Sequence, residues 1–153
     1  NKDTIFVKNN KSTLNCTIDR KKIGVVIGPS GRNIKKIIEA TGAKIDINDS
    51  GEVSISARNE ELAERARQCV EVIAGKISVG DVFDGKISRF VDFGLFVELV
   101  PGKDGLIHVS DISSEKKDTY RDTYSENQIL SVTVSEYDSA TGRVKLIAPE
   151  LAE

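Results

Sequence analysis

The sequence predicts an α+β domain followed by an all-β barrel of five strands, and three observations support this prediction. Residues 13–75 mix alternating with helical hydrophobic periodicity, whereas from residue 81 onwards only the alternating pattern remains. The net charge changes near the same point, from +4 over residues 1–80 (14 Lys and Arg, 10 Asp and Glu) to −6 over residues 81–153 (8 and 14). The hydrophobic content of 39% is sufficient for one medium core or for two small ones.

The first domain, residues 13–75, has the predicted element order β-α-α-β-β-α. Residues 1–12 are polar and aperiodic, and we expect them to form a flexible tether. The second and third strands are expected to form a hairpin through residues 48–51, and Asn59 is expected to cap the last helix. The side chains predicted to face the core are Leu14, Cys16 and Ile18 in the first strand, Ile34, Ile37, Ile38 and Thr41 in the second helix, and Leu62, Ala66, Cys69, Val70 and Ile73 in the last helix.

Gly28-Pro29-Ser30-Gly31 joins the first two predicted helices. Its glycines let the chain turn sharply and let a phosphate approach the main chain closely. A helix that begins at Gly31 would aim free N–H groups at that phosphate, and Arg32, Lys35 and Lys36 add positive charge behind them. The same residues are also compatible with an ordinary turn followed by a solvated, charged helix face.

The element order, together with Val-Ile-Gly-x-x-Gly-x-x-Ile at residues 26–34, resembles a type I KH domain. The resemblance implies that the loop clamps four backbone nucleotides of single-stranded RNA or DNA. Pro29 and Ser30 occupy the middle positions, where the family commonly has a basic residue, and Pro29 has no N–H to donate. We therefore expect the charge to come from the three cations of the helix, with the loop supplying its shape and the Ser30 hydroxyl.

The second domain, residues 81–149, is expected to follow a linker at residues 76–80 and to precede a short tail at residues 150–153. Five short strands are typical of a small barrel of OB type. Gly102-Lys103-Asp104-Gly105 repeats the GxxG spacing with no helix behind it, so we expect only a hairpin turn there. The polar loop over residues 113–125 is assigned no role. The predicted strands cover residues 82–89, 91–99, 106–110, 130–136 and 143–147.

The predicted strand at residues 91–99 leaves two placements for Phe93. Strict alternation puts Phe93 inside with Leu95 and puts Phe96 outside. A glycine within a strand often marks a bulge, and an extra residue at Gly94 would bring Phe93 to the outer face beside Phe96. Two exposed rings would form a stacking platform for nucleic-acid bases.

Val-Asp-Phe-Gly-x-Phe-Val-Glu at residues 91–98, followed by Gly-Leu-Ile-His-Val-Ser at residues 105–110, resembles an OB-fold domain of S-one type over residues 81–148. His108 taken alone would also fit a structural hydrogen-bonding role. The last strand departs from the family at residues 147–149, where a serine and a later lysine are usual, and this weakens the basic rim. The resemblance implies an RNA surface made of Phe93, Phe96, His108, Asp138 and Arg143.

No enzymatic set of residues is apparent. One histidine and two separated cysteines, Cys16 and Cys69, offer no zinc site or nucleophile–base pair, and Walker-type and GxGxxG sequences are absent. We expect the chain to bind rather than catalyse, with no cofactor or metal of its own and with two reduced, buried thiols. With no membrane-length apolar run, no signal-peptide pattern and no methionine, we expect a cytoplasmic (bacterial) or organellar fragment of a longer protein, without a membrane partner.

The order of the two domains, KH before S-one, resembles the C-terminal region of the polynucleotide phosphorylase (polyribonucleotide nucleotidyltransferase) family, as do Lys22-Ile23 and Val79-Gly80. The resemblance implies a homotrimeric, magnesium-dependent enzyme that uses phosphate to degrade RNA from its 3′ end, with catalytic domains outside this chain. The pair of domains would capture single-stranded RNA for those catalytic domains. Two alternatives stay open: a free-standing RNA-binding regulator, and a module whose barrel docks on a protein while only the KH half binds RNA.

Overall fold

The computed structural model describes residues 11–153. The chain divides into two compact units, of which the first ends at Lys76 and the second runs over Ile77–Glu153. Most of the predicted tether, residues 1–10, lies outside the described residues, and Ser12 already belongs to the first strand. None of the helices over residues 11–153 is long and apolar enough to cross a membrane.

The first unit has the predicted order β-α-α-β-β-α, which is confirmed. Its three strands form one antiparallel sheet in which the third strand lies between the first and the second, and the second and third strands form the expected hairpin. Asn59 caps the last helix, because the Leu62 N–H donates to its Oδ1 at 2.8 Å. The elements are β1 (Ser12–Thr17), α1 (Ile23–Ile27), α2 (Arg32–Thr41), β2 (Lys44–Ile47), β3 (Glu52–Ala57) and α3 (Glu60–Ile73).

The core of this unit lies between the helices and one face of the sheet, but five residues predicted to belong to it are only partly buried. Ile38 is 39% exposed, and the other four are half-buried: Leu14, Cys16, Ile34 and Leu62. Successive residues of a helix point about 100° apart, so Ile37 and Ile38 cannot both face the middle of the core. Ile37 is fully buried, and it therefore leaves Ile38 at the edge.

The second unit is a closed five-stranded barrel, which confirms the predicted OB-fold architecture. Its elements are β4 (Val82–Val91), β5 (Gly94–Val100), β6 (Lys103–His108), α4 (Tyr120–Thr123), β7 (Ile129–Asp138), β8 (Arg143–Ile147) and α5 (Pro149–Ala152). The strands follow the order β4-β5-β6-β8-β7 around the barrel. Strands β6 and β8 pair in parallel, and the other neighbours in the barrel are antiparallel.

The turn expected over residues 102–105 is shorter than predicted. Val100 pairs with Lys103, so only Pro101 and Gly102 lie between β5 and β6, and β6 begins at Lys103. Gly105 is a strand residue whose lack of a side chain is required, because a Cβ there would lie 2.6 Å from Leu146 Cδ1. The second glycine of this GxxG run thus serves packing inside the barrel.

Two segments that the sequence left without a role are packed against the barrel. The loop predicted over residues 113–125 contains α4, in which Tyr120 is only 2% exposed. The residues predicted as a tail, 150–153, mostly belong to α5, in which Leu151 is completely buried. Each segment is polar apart from one or two large residues, so no periodic pattern marks it in the sequence.

Candidate nucleic-acid interface

Three of the four residues in the loop between α1 and α2 have a positive φ. Gly28, Ser30 and Gly31 have φ values of 77°, 56° and 75°. A Cβ on Gly28 would lie 2.8 Å from the Asn33 side chain, so glycine is required there on two grounds. Ser30 differs from the two glycines because it has a side chain, and a left-handed conformation costs such a residue about 1–2 kcal/mol. Strain of this kind is concentrated at binding and catalytic sites.

Hydrogen bonds within the loop correct one expectation about its chemistry. The helix begins at Arg32 rather than at Gly31. The Gly31 N–H donates to the Gly28 carbonyl at 3.0 Å, and the Arg32 N–H donates to the Pro29 carbonyl. The expectation that Gly31 and the helix start offer free N–H groups to a phosphate is therefore wrong for these two donors. Positive side chains must supply more of any attraction to an anion.

The three predicted cations of α2 are free to attract an anion. Arg32, Lys35 and Lys36 are exposed, and none of them forms an ion pair within residues 11–153. Two exposed apolar side chains accompany them on the helices that the loop joins; the first was not singled out from the sequence, and the second was predicted to lie in the core. These are Val25 on α1, 44% exposed, and Ile38 on α2, 39% exposed.

Asn33 is the third residue of this region that sequence reasoning missed. Its side-chain Nδ2 donates to the Val25 carbonyl at 2.8 Å. This bond links α2 back to α1 across the loop and fills the space that Gly28 leaves open. The sequence signal for this role is that Asn33 is a polar residue on the otherwise apolar side of α2, directly after Gly31 and Arg32.

On the barrel, three predicted residues form an aromatic cluster. Phe93 is 46% exposed, and its ring lies edge-to-face with Phe96, at a centroid separation of 6.2 Å and an interplanar angle of 86°. The His108 ring stacks on Phe93 at a centroid separation of 6.5 Å and an interplanar angle of 29°. His108 Nδ1 accepts the Ser110 N–H at 3.1 Å, which fixes the orientation of the imidazole. His108 thus combines the structural role and a place in the cluster.

The cluster forms for a different reason from the predicted bulge. Val91 pairs with Gly94, so Phe93 lies in the two-residue turn between β4 and β5 and not inside a strand. Regular alternation continues in β5, where Leu95 is buried and Phe96 lies on the outer face. Gly94 is required because a Cβ there would lie 2.0 Å from the Ile107 carbonyl oxygen on β6. The irregular pairing in this hairpin lies in β4, around Ser88.

Phe93 and Phe96 open onto a groove of about 690 Å³, which is lined at its other end by the turn between β7 and β8. Asp138 and Arg143 form the pair of residues that closes this turn. The Asp138 carboxylate accepts the Ala140 N–H at 2.9 Å, so its role in the turn is at least partly structural. The structure therefore brings together all five barrel residues that the resemblance implied, four along the groove and His108 against Phe93.

Three further residues of this surface were missed from the sequence. Arg89 lies opposite Phe96 across β4 and β5, with its guanidinium carbon 4.8 Å from the Phe96 ring centroid. Tyr137 and Lys145 line the groove, and Lys145 Nζ lies 3.6 Å from Glu136 Oε2. The strand register, which the sequence did not predict, places Arg89 opposite Phe96. The groove carries both signs of charge and is not a purely basic track.

No group of three or more potential metal ligands occurs among the residues that the structure describes. The candidate surfaces therefore consist of a glycine-rich loop with exposed cations on the first unit and an aromatic cluster beside a groove on the second. Both are open surfaces with groups suited to a phosphodiester backbone and to bases, respectively.

Comparison with known proteins identifies both units. Residues 13–71 match the family model of the KH domain, and residues 76–147 match that of the S1 RNA binding domain, the S-one type. The solution structure of GSP13 from Bacillus subtilis is similar over 49% of this chain and 58% of its own, at 27% identity and a TM-score of 0.44.

Curated relatives match across both domains. The chain is 40% identical over 143 residues to polyribonucleotide nucleotidyltransferase from Pelotomaculum thermopropionicum, a match that covers 90% of this chain. The corresponding enzymes from Sulfurihydrogenibium sp. and Bacillus cereus are each 45% identical, over 87% and 85% of this chain. The chain spans only 18–19% of the length of these relatives, and their catalytic domains lie outside the matched part. The chain thus consists of a KH domain followed by an S1 RNA binding domain and corresponds to the C-terminal region of polyribonucleotide nucleotidyltransferases that carries this pair.

Proposed function

We propose that this chain captures single-stranded RNA with both domains and delivers its 3′ end to a phosphorolytic exoribonuclease, polynucleotide phosphorylase, of which it forms a part. The observation that carries the proposal is the aromatic cluster of Phe93, Phe96 and His108, in which Phe93 is exposed and both phenylalanines line the groove. The parent enzyme would be a homotrimer in the cytoplasm or an organelle. It would use magnesium and phosphate in domains outside this chain.

The aromatic cluster favours single strands over duplexes for a physical reason. A base can stack on a protein ring only when it has left its own base pair and stack, as in single-stranded RNA. Each base stacked on an aromatic side chain contributes about 1–3 kcal/mol, largely independent of base identity. Phe93 offers an exposed ring, and Arg89 over Phe96 adds a positive charge next to a possible phosphate.

The loop of the KH domain supports contact with the phosphodiester backbone. Gly28 and Gly31 allow close approach, and the exposed charges of Arg32, Lys35 and Lys36, which form no ion pair with any residue that the structure describes, follow them directly in the chain. Contacts of this kind fix the position of a strand but carry no sequence information. The two domains would therefore bind RNA with little sequence preference, which suits an enzyme that degrades many transcripts.

The sharpest test of RNA binding by the barrel removes both rings. We expect the Phe93→Ala/Phe96→Ala variant to bind labelled single-stranded RNA at least about fivefold more weakly, equivalent to about 1 kcal/mol. The matched control is Val82→Ala/Ile129→Ala, because these side chains are apolar and exposed (64% and 60%) on the same barrel. An unchanged dissociation constant in the ring variant would favour the alternative in which the barrel docks on a protein.

Delivery to an active site requires a test in the full-length protein. We expect loss of both rings to raise the KM for long RNA in phosphate-dependent release of nucleoside diphosphates. The kcat for a substrate too short to reach these domains should stay the same. A full-length protein that releases no nucleoside diphosphates would instead support the free-standing regulator.

A further inference from the structure

The position of Phe93 depends on a contact that lies outside the proposed binding surface. Phe93 lies in a two-residue turn, outside the ladder of strand pairs, and its carbonyl accepts one hydrogen bond, from the Val109 N–H at 2.9 Å. Its ring is 46% exposed and contacts the rings of Phe96 and His108. The orientation of this ring therefore also depends on how the end of β4 is held.

The short helix α4 attaches to β4 immediately before the turn. Arg121 Nη2 donates a hydrogen bond to the Val91 carbonyl. The neighbouring Tyr120 is buried with its ring 6.0 Å from that of Phe90. The Arg121 guanidinium also lies over the Tyr120 ring, at 5.8 Å from the centroid. Two consecutive residues of α4 thus hold two consecutive residues of β4.

The segment that carries α4 is itself anchored at the C-terminal end of the chain. The Ser113 N–H donates to the Leu151 carbonyl at 2.8 Å, and Tyr124 Oη donates to Glu150 Oε2 at 2.8 Å. Lys116 Nζ donates to the Glu150 carbonyl at 2.6 Å. With Leu151 completely buried, α5 gives α4 a fixed support. The segment that contacts β4 is therefore itself held in place by its contacts with α5.

We propose that Arg121 is a positioning residue for RNA binding: it fixes the turn between β4 and β5 so that the Phe93 ring is held against Phe96, ready to stack on a base. Arg121 acts through the Val91 carbonyl and does not itself contact RNA. The proposal rests on the proposed function, because it assumes that Phe93 stacks on RNA. It assigns a role to a segment whose sequence indicated none.

The test uses Arg121→Met, which keeps the aliphatic stem over Tyr120 and removes the donor. We expect its dissociation constant for single-stranded RNA to rise about three- to tenfold, the size of one net hydrogen bond. Arg121→Lys should recover part of the loss, since an ammonium can still donate to the carbonyl. Lys117→Met is the matched control, because Lys117 is an exposed cation of the same segment.

A double-mutant cycle separates positioning from direct contact. In a Phe93→Ala background, Arg121→Met should weaken binding by less than about 1.5-fold, because two residues that act through one interaction are not additive. The salt slope of binding should stay the same. An equal loss in both backgrounds, or a slope reduced by about 0.7, would show that Arg121 contacts a phosphate directly and would overturn the proposal.

A measurement without RNA decides the structural part independently. NMR cross-peaks between the ring protons of Phe93 and Phe96 should weaken in Arg121→Met and persist in Tyr120→Phe. The second variant keeps the buried ring and removes a hydroxyl that has no hydrogen-bond partner among the residues that the structure describes. Unchanged cross-peaks in Arg121→Met would overturn the proposal. If Phe93→Ala alone left RNA affinity unchanged, the proposed function would fail, while the cross-peaks would still decide whether Arg121 positions the ring.

Discussion

The Asn33 side chain donates a hydrogen bond to the Val25 carbonyl at 2.8 Å and so ties α2 to α1 across the loop between them. The bond is formed by the third residue after Ser30, the loop residue in a strained left-handed conformation. It therefore helps to hold the loop in the one shape that lets Gly28 and Gly31 face a ligand. Neither Asn33 nor Val25 carries a charge, so the effect of their hydrogen bond on RNA binding can be separated from the effect of the neighbouring cations.

We expect Asn33→Ala to weaken RNA binding without changing its salt dependence. The variant removes one hydrogen bond, worth about 0.5–1.5 kcal/mol, but no positive charge. Thermal unfolding and RNA titrations at two or more salt concentrations measure the two effects. Asn15→Ala is the control, because Asn15 is an exposed asparagine on β1 of the same domain. Equal RNA affinity in Asn33→Ala and the wild type would show that the bond does not support the loop.

We expect Pro29→Asp/Ser30→Asp to abolish most RNA binding, because two carboxylates would lie next to the phosphate that the loop is proposed to contact. The matched control is Pro29→Ala/Ser30→Asn, which changes the same positions without adding charge and places at residue 30 a side chain that tolerates the left-handed conformation. Titration of labelled single-stranded RNA measures both variants. RNA affinity that survives the aspartates would refute the clamp.

We expect Gly94→Ala to destabilise the barrel by about 1–3 kcal/mol or more, because its Cβ would overlap the Ile107 carbonyl oxygen, 2.0 Å away. All three tyrosines of the chain, Tyr120, Tyr124 and Tyr137, lie in the second unit, so urea unfolding followed by tyrosine fluorescence reports on this domain.

The control for this prediction is Gly24→Ala in α1. A Cβ at Gly24 meets nothing within 4 Å, and alanine is favoured over glycine in a helix. This variant should leave the tyrosine transition unchanged. An unchanged transition in Gly94→Ala itself would mean that β5 and β6 can separate at this point without cost.

The sequence predicted the elements whose residues interact with close neighbours in the chain. Leu95 and Phe96 take opposite faces of β5 because side chains alternate along any strand. Asn59 caps α3 because its side chain needs only the N–H of Leu62, three residues away. Signals of this kind are complete within a few residues and do not depend on tertiary structure.

The features that could not be predicted depend on pairing across the fold. Phe93 lies beside Phe96 because Val91 pairs with Gly94, which places Phe93 in a turn, and alternation alone cannot show where a strand ends. Arg121 reaches the Val91 carbonyl over 30 positions of sequence. Such a contact has no local signature, since a lone arginine in a polar segment is also typical of a solvated surface.

The salt dependence of RNA binding tests most directly whether two surfaces of different chemistry both contribute to RNA binding. Replacement of Arg32, Lys35 and Lys36 by glutamine should reduce the slope of log affinity against log salt by up to about 2, at about 0.7 per lost phosphate contact. Phe93→Ala/Phe96→Ala should lower the affinity at every salt concentration and leave the slope unchanged, because stacking releases no counterions. The opposite pattern, an unchanged slope in the glutamine variant and an unchanged affinity in the alanine variant, would contradict RNA binding by these surfaces.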